Sequence, residues 1–234
     1  MGEMPTFSVI TPTCNRPTKL RRCCLSVSRQ TYPHWEHIIV DDVSDQDPLP
    51  IIKSVHGEKQ FQFIRQPERL NRYFAYNAGM KAAKNDWIIF LDDDDEYLNF
   101  YLEFLALAIK KYPRRRLFNC GGLVTHRKVL WVRARGVVKF EQKRGCECNT
   151  GDIVNGQFVF HRNCLKKTGY MPKAINFYQG ADMAKIPGYG SEIRLLGNPW
   201  GQDFFMFYKL TRHYVSQPID IYGYVCNIRG SEDG

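Results

Sequence analysis

Four consecutive aspartates, Asp92 to Asp95, directly follow the apolar run Trp87-Ile88-Ile89-Phe90-Leu91. Carboxylates packed together repel one another, and each loses hydration near a hydrophobic core. A hard divalent cation relieves both costs and still leaves coordination positions for water and for substrate phosphates. An acidic helix N-terminus would account for one or two of these aspartates, but less easily for four. The tetrad therefore predicts a Mg²⁺ or Mn²⁺ site.

A cation that binds phosphates points to a nucleotide ligand. The chain has no Gly-x-x-x-x-Gly-Lys-Ser/Thr loop, and no Gly-x-Gly-x-x-Gly follows its first apolar run, which argues against P-loop and dinucleotide folds. The remaining option is a nucleoside diphosphate that is held through the cation. The cation would then stabilise the diphosphate as a leaving group. The eight cysteines contain no two ligand pairs at Cys-x2-Cys-like spacing. We therefore expect reduced, mostly buried thiols rather than a zinc site.

Short apolar runs alternate with amphipathic segments in the first half of the chain. The predicted strands are 7–11, 37–40, 61–64 and 87–91, and the predicted helices are 17–30, 49–55, 71–84 and 100–111. Apolar strands alternating with helices are typical of a parallel sheet covered on both faces, which binds ligands beyond the carboxyl ends of its strands. Polar residues follow three of these strands: Thr13 and Asn15, Asp41 and Asp42, and the tetrad. We expect one site assembled from three loops.

The second half of the chain has a less regular pattern. It predicts strands at 117–121, 157–160 and 219–224, a hairpin or exposed ribbon at 129–140, and helices at 162–168 and 202–210. No internal repeat, low-complexity tract or clear linker is present. We therefore expect one domain over residues 1–234, made of a first half (1–115) and a C-terminal elaboration (116–234).

Composition and charge exclude several classes of protein. A hydrophobic content of 44% permits a sizeable core and excludes global disorder. The chain has neither an apolar run long enough to span a membrane nor a secretory-signal pattern at Met1 to Phe7, so we expect a cytoplasmic location. Between Lys110 and Arg144 there are 12 basic residues and one acidic residue, a balance of +11, whereas the rest of the chain carries −2 of the net charge of +9. Such a segment favours an anionic partner, including the inner membrane face, or is merely a solvated surface.

Five motifs, in order and at matching spacing, resemble inverting glycosyltransferase family 2, of the GT-A fold. They are Phe7 to Arg16, Gln30-Thr31-Tyr32-Pro33, Ile38-Ile39-Val40-Asp41-Asp42-x-Ser44, Asn77-Ala78-Gly79, and Phe90-Leu91-Asp92-Asp93-Asp94-Asp95. Weaker similarity to the acceptor half of the family continues at residues 156–170 and 202–203. The resemblance implies a Rossmann-like, mostly parallel sheet flanked by helices, with residues 1–115 binding the nucleotide sugar and 116–234 binding the acceptor.

The resemblance also implies roles for individual residues on the donor side. Asp92-x-Asp94 corresponds to the Asp-x-Asp motif, with Asp94 binding Mn²⁺ or Mg²⁺ together with Asp92. Tyr76 stands where the family usually has Arg, so Arg72 is the candidate to supply that contact. Asp42 would contact the base and Asp93 the ribose. The favoured donor is a UDP-sugar. The residues expected to bind the nucleotide sugar are Thr11, Pro12, Thr13, Asn15, Asp42, Arg72, Asn77, Asp92 and Asp93.

On the acceptor side, Asp203 corresponds to the family's general base. Deprotonation of an acceptor hydroxyl by this carboxylate would permit direct displacement at the anomeric carbon. Gln202 replaces the first residue of the family's usual Glu-Asp pair, and Trp200 could stack on an acceptor sugar. Trp200 could equally belong to the core, and Asp203 could be an ordinary helix cap after Gly201. The implied acceptor is a glycan, a lipid-linked sugar or a polysaccharide.

Two other functions remain open at this point. A nucleotidyltransferase would share the parallel sheet and acidic site, but would normally carry a Gly-rich basic loop where this chain has Pro12 to Pro17. A non-catalytic basic binding protein would account for the charge. The intact aspartates argue against a degenerate transferase, and the chain carries no recognisable nucleic-acid motif, so no specific nucleic acid is expected as partner.

Overall fold

The computed structural model describes residues 3–57, 60–70, 72–126, 129–135, 155–171, 206, 209–210 and 213–228. Its strands are β1 (Phe7–Thr13), β2 (Trp35–Asp41), β3 (Phe61–Arg65), β4 (Trp87–Phe90), β5 (Glu96–Tyr97), β6 (Leu117–His126), β7 (Val129–Arg135), β8 (Phe158–His161) and β9 (Ser216–Ile228). Its α-helices are α1 (Pro17–Ser28), α2 (Leu49–His56), α3 (Arg72–Ala82), α4 (Tyr101–Lys111) and α5 (Leu165–Thr168), and 3₁₀ turns precede β8 and α5.

All nine of the described strands belong to one sheet, in the order β3-β2-β1-β4-β8-β6-β9-β5, with β7 paired to β6. The first four strands in this order are parallel. β8 is antiparallel to both β4 and β6, so strands from both halves of the chain share the sheet. The predicted α/β fold class is confirmed. The division between 115 and 116 stays a prediction.

Both faces of the parallel part are buried, which explains why its strands are apolar without interruption. Alternate residues of β1 point to opposite faces: Phe7 and Val9 pack with α1 and α4, whereas Ile10 packs with α3. A third cluster joins α1 and α2 to β2 around Ile39. The carboxyl ends of β1, β2 and β4 therefore meet at one edge, with helices on either side.

Two details of the strands differ from the sequence prediction. β1 continues through Pro12 to Thr13, because its pairing with β4 ends at Ile10 and the missing N–H of proline is not needed there. β5 was not predicted, because a two-residue strand carries no periodicity of its own. It forms by pairing with Tyr224 and Val225 of β9, more than a hundred residues away in sequence. Residues 129–140 were expected to form a hairpin or an exposed ribbon; in their described part, 129–135, they form the single strand β7, which pairs antiparallel with β6.

Gly79 allows α3 to lie directly on β1. A Cβ at this position would be 2.3 Å from Cγ2 of Ile10. This is too close for two carbon atoms, so α3 or the Ile10 side chain would have to move. This close approach positions the preceding residues of α3, Tyr76 and Asn77, beside the ends of β1 and β4.

Candidate active site

The four aspartates after β4 divide into two pairs. The backbone N–H of Asp95 donates to the carbonyl of Asp92 at 3.0 Å, which closes a turn. Asp93 and Asp95 are each 4% exposed, whereas Asp92 and Asp94 are partly exposed. The turn thus directs alternate carboxylates inward and leaves the other two accessible to a ligand.

The inward carboxylates are held by protein donors. Thr13 Oγ1 donates to Asp93 Oδ2 at 2.8 Å, and Arg16 Nη1 donates to Asp93 Oδ1 at 2.9 Å. Asp95 accepts from the Tyr224 hydroxyl. Burial raises the pKa of Asp93 to about 6 although Arg16 acts in the opposite direction. Both oxygens of Asp93 therefore help to join the β1 and β4 loops, and its predicted contact with ribose stays a prediction.

The outward carboxylates are the candidates for the cation. Asp92 accepts from the Tyr76 hydroxyl, and Asp94 Oδ2 lies 3.2 Å from Arg16 Nη1. Two partly exposed carboxylates at alternate positions of one turn present the hard oxygen ligands that Mg²⁺ and Mn²⁺ prefer. These residues therefore fit the cation that the sequence predicts.

Arg16 is the basic residue among these carboxylates. Burial would lower the pKa of its guanidinium, but Asp93 and Asp94 outweigh this effect and the pKa is raised. The positive charge of Arg72 acts on the same guanidinium, so the residue expected to contact the nucleotide lies near the site. A second basic group there suits a ligand that brings phosphate charge.

The β2 loop contributes two aspartates with different surroundings. Asp41 is fully buried and forms an ion pair with Arg65 at 2.9 Å. Asp42 is partly exposed, and its Oδ1 accepts from Gln66 Nε2 and from the Leu70 N–H, both at 2.8 Å. No described residue donates to its Oδ2. Asp42 is thus fixed in place with one carboxylate oxygen available to a ligand.

Asn15 ties the β1 loop to the β2 loop. It adopts a left-handed backbone conformation (φ 54°), which asparagine tolerates better than most residues. Its N–H donates to Ser44 Oγ at 2.8 Å, and its side chain exchanges two hydrogen bonds with Asp45. These residues, with Thr13 and Arg16, line a cavity of about 280 Å³. The predicted three-loop arrangement is therefore present.

Some predicted residues have other contacts. The amide of Asn77 donates to and accepts from the backbone of Met171, joining α3 to the second half. The Thr11 hydroxyl is buried against His37, while Pro12 is partly exposed beyond it. Nucleotide binding by these three residues stays a prediction. The acceptor-side candidates Trp200, Gln202 and Asp203 lie outside the described residues.

Sequence reasoning missed three residues of this site. Arg16 stands within the first motif but was given no role. Tyr76 was noted only as a departure from the family, although its hydroxyl bonds Asp92. Tyr224 carried no signal, because its contact with Asp95 spans 129 residues of sequence.

Comparison with known families and curated proteins agrees with this geometry. The family model described as Glycosyl transferase family 2 matches residues 8–169. A GalNAc(5)-diNAcBac-PP-undecaprenol beta-1,3-glucosyltransferase of Campylobacter jejuni is 32% identical over 119 residues, covering 50% of this chain and 38% of that protein. The poly(ribitol-phosphate) beta-N-acetylglucosaminyltransferase TarP of Staphylococcus aureus is 36% identical over 96 residues, covering 39% of this chain and 29% of that protein. The chain thus spans well under half the length of these relatives.

Solved structures support the fold. S. aureus TarS in complex with UDP superposes with a TM-score of 0.70 at 17% identity, covering 95% of this chain and 60% of that one. The mannosyltransferase PcManGT from Pyrobaculum calidifontis, in complex with GDP-Man and Mn²⁺, gives a TM-score of 0.63 at 16% identity, covering 99% and 59%. The GT-A type architecture is therefore confirmed.

Proposed function

Since the chain belongs to glycosyl transferase family 2, we propose that it is an inverting transferase that moves a sugar from a nucleoside diphosphate to an acceptor hydroxyl. The observation that carries this proposal is the outward pair Asp92 and Asp94, which lies at the same sheet edge as Asp42. Family membership favours this function over the nucleotidyltransferase and the non-catalytic binding protein.

For the donor we propose a UDP-sugar. The available Oδ2 of Asp42 is an acceptor for a base N–H, such as the imide N–H of uracil. TarS has been solved with UDP and with UDP-GlcNAc, whereas PcManGT has been solved with GDP-Man. For the acceptor we propose a glycan, polysaccharide or lipid-linked sugar, as the names of the relatives suggest.

In this mechanism Asp94, assisted by Asp92, would hold Mn²⁺ or Mg²⁺. When bound, such a cation stabilises the negative charge of a departing diphosphate. Arg16 and Arg72 add positive charge on the same side, and Asp42 orients the base. Asp203 accepts the proton of the acceptor hydroxyl, whose oxygen attacks the anomeric carbon as the diphosphate leaves from the opposite face. Displacement in one step inverts the configuration. Trp200 and Gln202 contact the acceptor.

An assay of nucleoside diphosphate release tests this function. The protein is incubated with a panel of UDP-, GDP-, dTDP- and CDP-sugars, with and without Mn²⁺. We expect slow metal-dependent release from a UDP-sugar, accelerated by a suitable acceptor and abolished by EDTA. Formation of a nucleotide sugar from a nucleoside triphosphate and a sugar phosphate would instead indicate a nucleotidyltransferase. Metal-dependent binding without release from any donor would indicate a binding protein.

We also propose that the protein works at the cytoplasmic face of a membrane, which it contacts through α4. None of the described helices has the length and apolarity to span a bilayer. Four of the five large hydrophobic side chains that are exposed among the described residues lie together here: Met4, Phe100, Phe104 and Leu107, between 40% and 56% exposed. Phe100 at the N-cap of α4, followed by Phe104 and Leu107 within it, keeps helical spacing on one stripe. Met4 contacts Lys110 one turn further on.

Basic residues lie beside this apolar stripe, an arrangement that favours binding to a surface of anionic lipids. Lys110 and Lys111 are exposed at the end of α4. A cavity of about 460 Å³ beside Phe100 is also lined by Arg22 and Arg29, together with Glu96, which lies 4.0 Å from Arg22. The sequence predicts the contact with an anionic membrane within Lys110 to Arg144, where the apolar residues are Val129, Leu130, Trp131 and Val132. The side chains around Trp131 lie outside the described residues, and the α4 stripe adjoins the start of that segment.

Co-sedimentation with vesicles of increasing phosphatidylglycerol content tests the membrane proposal. We expect binding that increases with anionic lipid and decreases with salt, since each basic residue near the surface contributes about 1 kcal/mol. The double variant Phe104→Ser/Leu107→Ser should bind about tenfold more weakly, whereas Tyr170→Ser, which removes an exposed aromatic elsewhere, should bind like the wild type. The proposal would be contradicted if binding of the wild type did not depend on lipid charge or salt. Equally strong binding by the double variant would also contradict it.

A further inference from the structure

Three side chains that commonly bind zinc meet between α1, β2 and α2, away from the aspartate tetrad. They are Cys24, His37 and His56, and one potential ligand atom from each lies within 4.8 Å of the other two. Nδ1 of His37 and Nε2 of His56 are 3.0 Å apart. Each ligand is supplied by a different element of secondary structure, so the cluster exists only in the folded chain.

The surroundings of the cluster match those of a metal-binding histidine. Nε2 of His37 lies 2.9 Å from Thr11 Oγ1, so Nε2–H can donate to this hydroxyl while Nδ1 is directed toward the cluster. Bound histidines usually donate their second ring nitrogen in this manner, which fixes the orientation of the ring.

The distance between the two ring nitrogens is close to that in a tetrahedral zinc centre, and the Cys24 sulfur lies within 4.8 Å of one nitrogen of each ring. Zn–N bonds of about 2.0–2.1 Å and a Zn–S bond of about 2.3 Å place two nitrogens roughly 3.3 Å apart and nitrogen and sulfur roughly 3.6 Å apart. The two ring nitrogens, at 3.0 Å, need to separate by only a few tenths of an ångström. His56 is partly exposed, whereas Cys24 and His37 are buried, so a cation and a fourth ligand, water, can approach from the α2 side.

We propose that Cys24, His37 and His56 form a zinc site that links α1 and α2 to β2. Zinc binds the Cys24 thiolate, and the thiol proton is released to solvent. A thiolate and two imidazoles favour Zn²⁺, whereas the oxygen ligands Asp92 and Asp94 favour Mg²⁺ or Mn²⁺, so the two sites take different cations. Because β2 leads directly into Asp41 and Asp42, zinc here stabilises the strand that carries the proposed base contact.

Titration of the full chain with Co²⁺ and Zn²⁺ in the presence of excess Mg²⁺ tests this site. We expect one equivalent of Co²⁺ to produce a thiolate-to-cobalt charge-transfer absorption, which Zn²⁺ then abolishes. We also expect Zn²⁺ to raise the midpoint of thermal unfolding. Cys24→Ser should lose the absorption and the thermal shift. Cys164→Ser, which removes another buried free thiol, should retain both.

His56→Gln provides a second variant if Cys24→Ser does not fold. Loss of this ligand should weaken Zn²⁺ binding by more than the roughly 10- to 100-fold that loss of an outer-shell partner costs. The wild type showing no charge-transfer absorption would overturn the proposal. Stoichiometric Zn²⁺ binding that persists in both variants, or that disappears when Asp92 and Asp94 are changed instead, would also overturn it.

Discussion

Asp94→Asn is expected to lower sugar transfer by at least about 10³-fold, the equivalent of roughly 4 kcal/mol of transition-state stabilisation. The amide keeps the shape of the side chain but removes the charge that holds the cation. The fold should persist, because Asp94 is partly exposed on a turn and the buried contacts of that turn are made by Asp93 and Asp95. Turnover, circular dichroism and calorimetry of Mn²⁺ with UDP would check the three parts of this prediction.

Asp86→Asn is the matched control for this experiment. Asp86 is an exposed carboxylate immediately before β4, at the opposite end of the strand from the tetrad. Its variant should transfer sugar at the wild-type rate. If Asp94→Asn binds Mn²⁺ and UDP as the wild type does, the assignment of Asp94 to the cation is wrong.

Asp203→Asn is expected to lower kcat by about 10²- to 10⁴-fold, with the KM for the donor little changed. The acceptor hydroxyl would have no carboxylate to receive its proton, whereas donor binding depends on the β1, β2 and β4 loops. Initial rates at varied donor and acceptor concentrations would separate these effects. The dependence of kcat on pH supplies a second readout, because the acidic limb due to the base should disappear in the variant.

Gln202→Ala is the comparison for Asp203→Asn, since it changes the neighbouring residue without removing a carboxylate. Its effect should be smaller and should appear mainly in the KM for the acceptor. A kcat for Asp203→Asn within a few-fold of the wild type would mean that the base lies elsewhere in the chain. The carboxylate would then serve as a helix cap after Gly201.

The local pattern of the sequence was sufficient to predict most of the parallel half of the fold. β1, β2, β3 and β4 were identified from short apolar runs, and α1 to α4 from helical spacing, with boundaries that differ by a few residues. The reason is that burial on both faces of a parallel sheet imposes a continuous apolar run, which needs no knowledge of distant residues. Polar residues after these strands also predicted the edge where Asp42 and the tetrad meet.

Only the tertiary structure decided which aspartates of the tetrad are buried and which are partly exposed. Four identical residues in a row carry no information about orientation, and the division arises from Thr13, Arg16 and Tyr224, which hold Asp93 and Asp95 inward. The pairing of β5 with β9 and the cluster of Cys24, His37 and His56 likewise depend on residues from separate elements. Hydrophobic periodicity reports which face of an element is buried, but it does not specify which side chains meet there. Those contacts depend on the order of the strands and the packing of helices on the sheet.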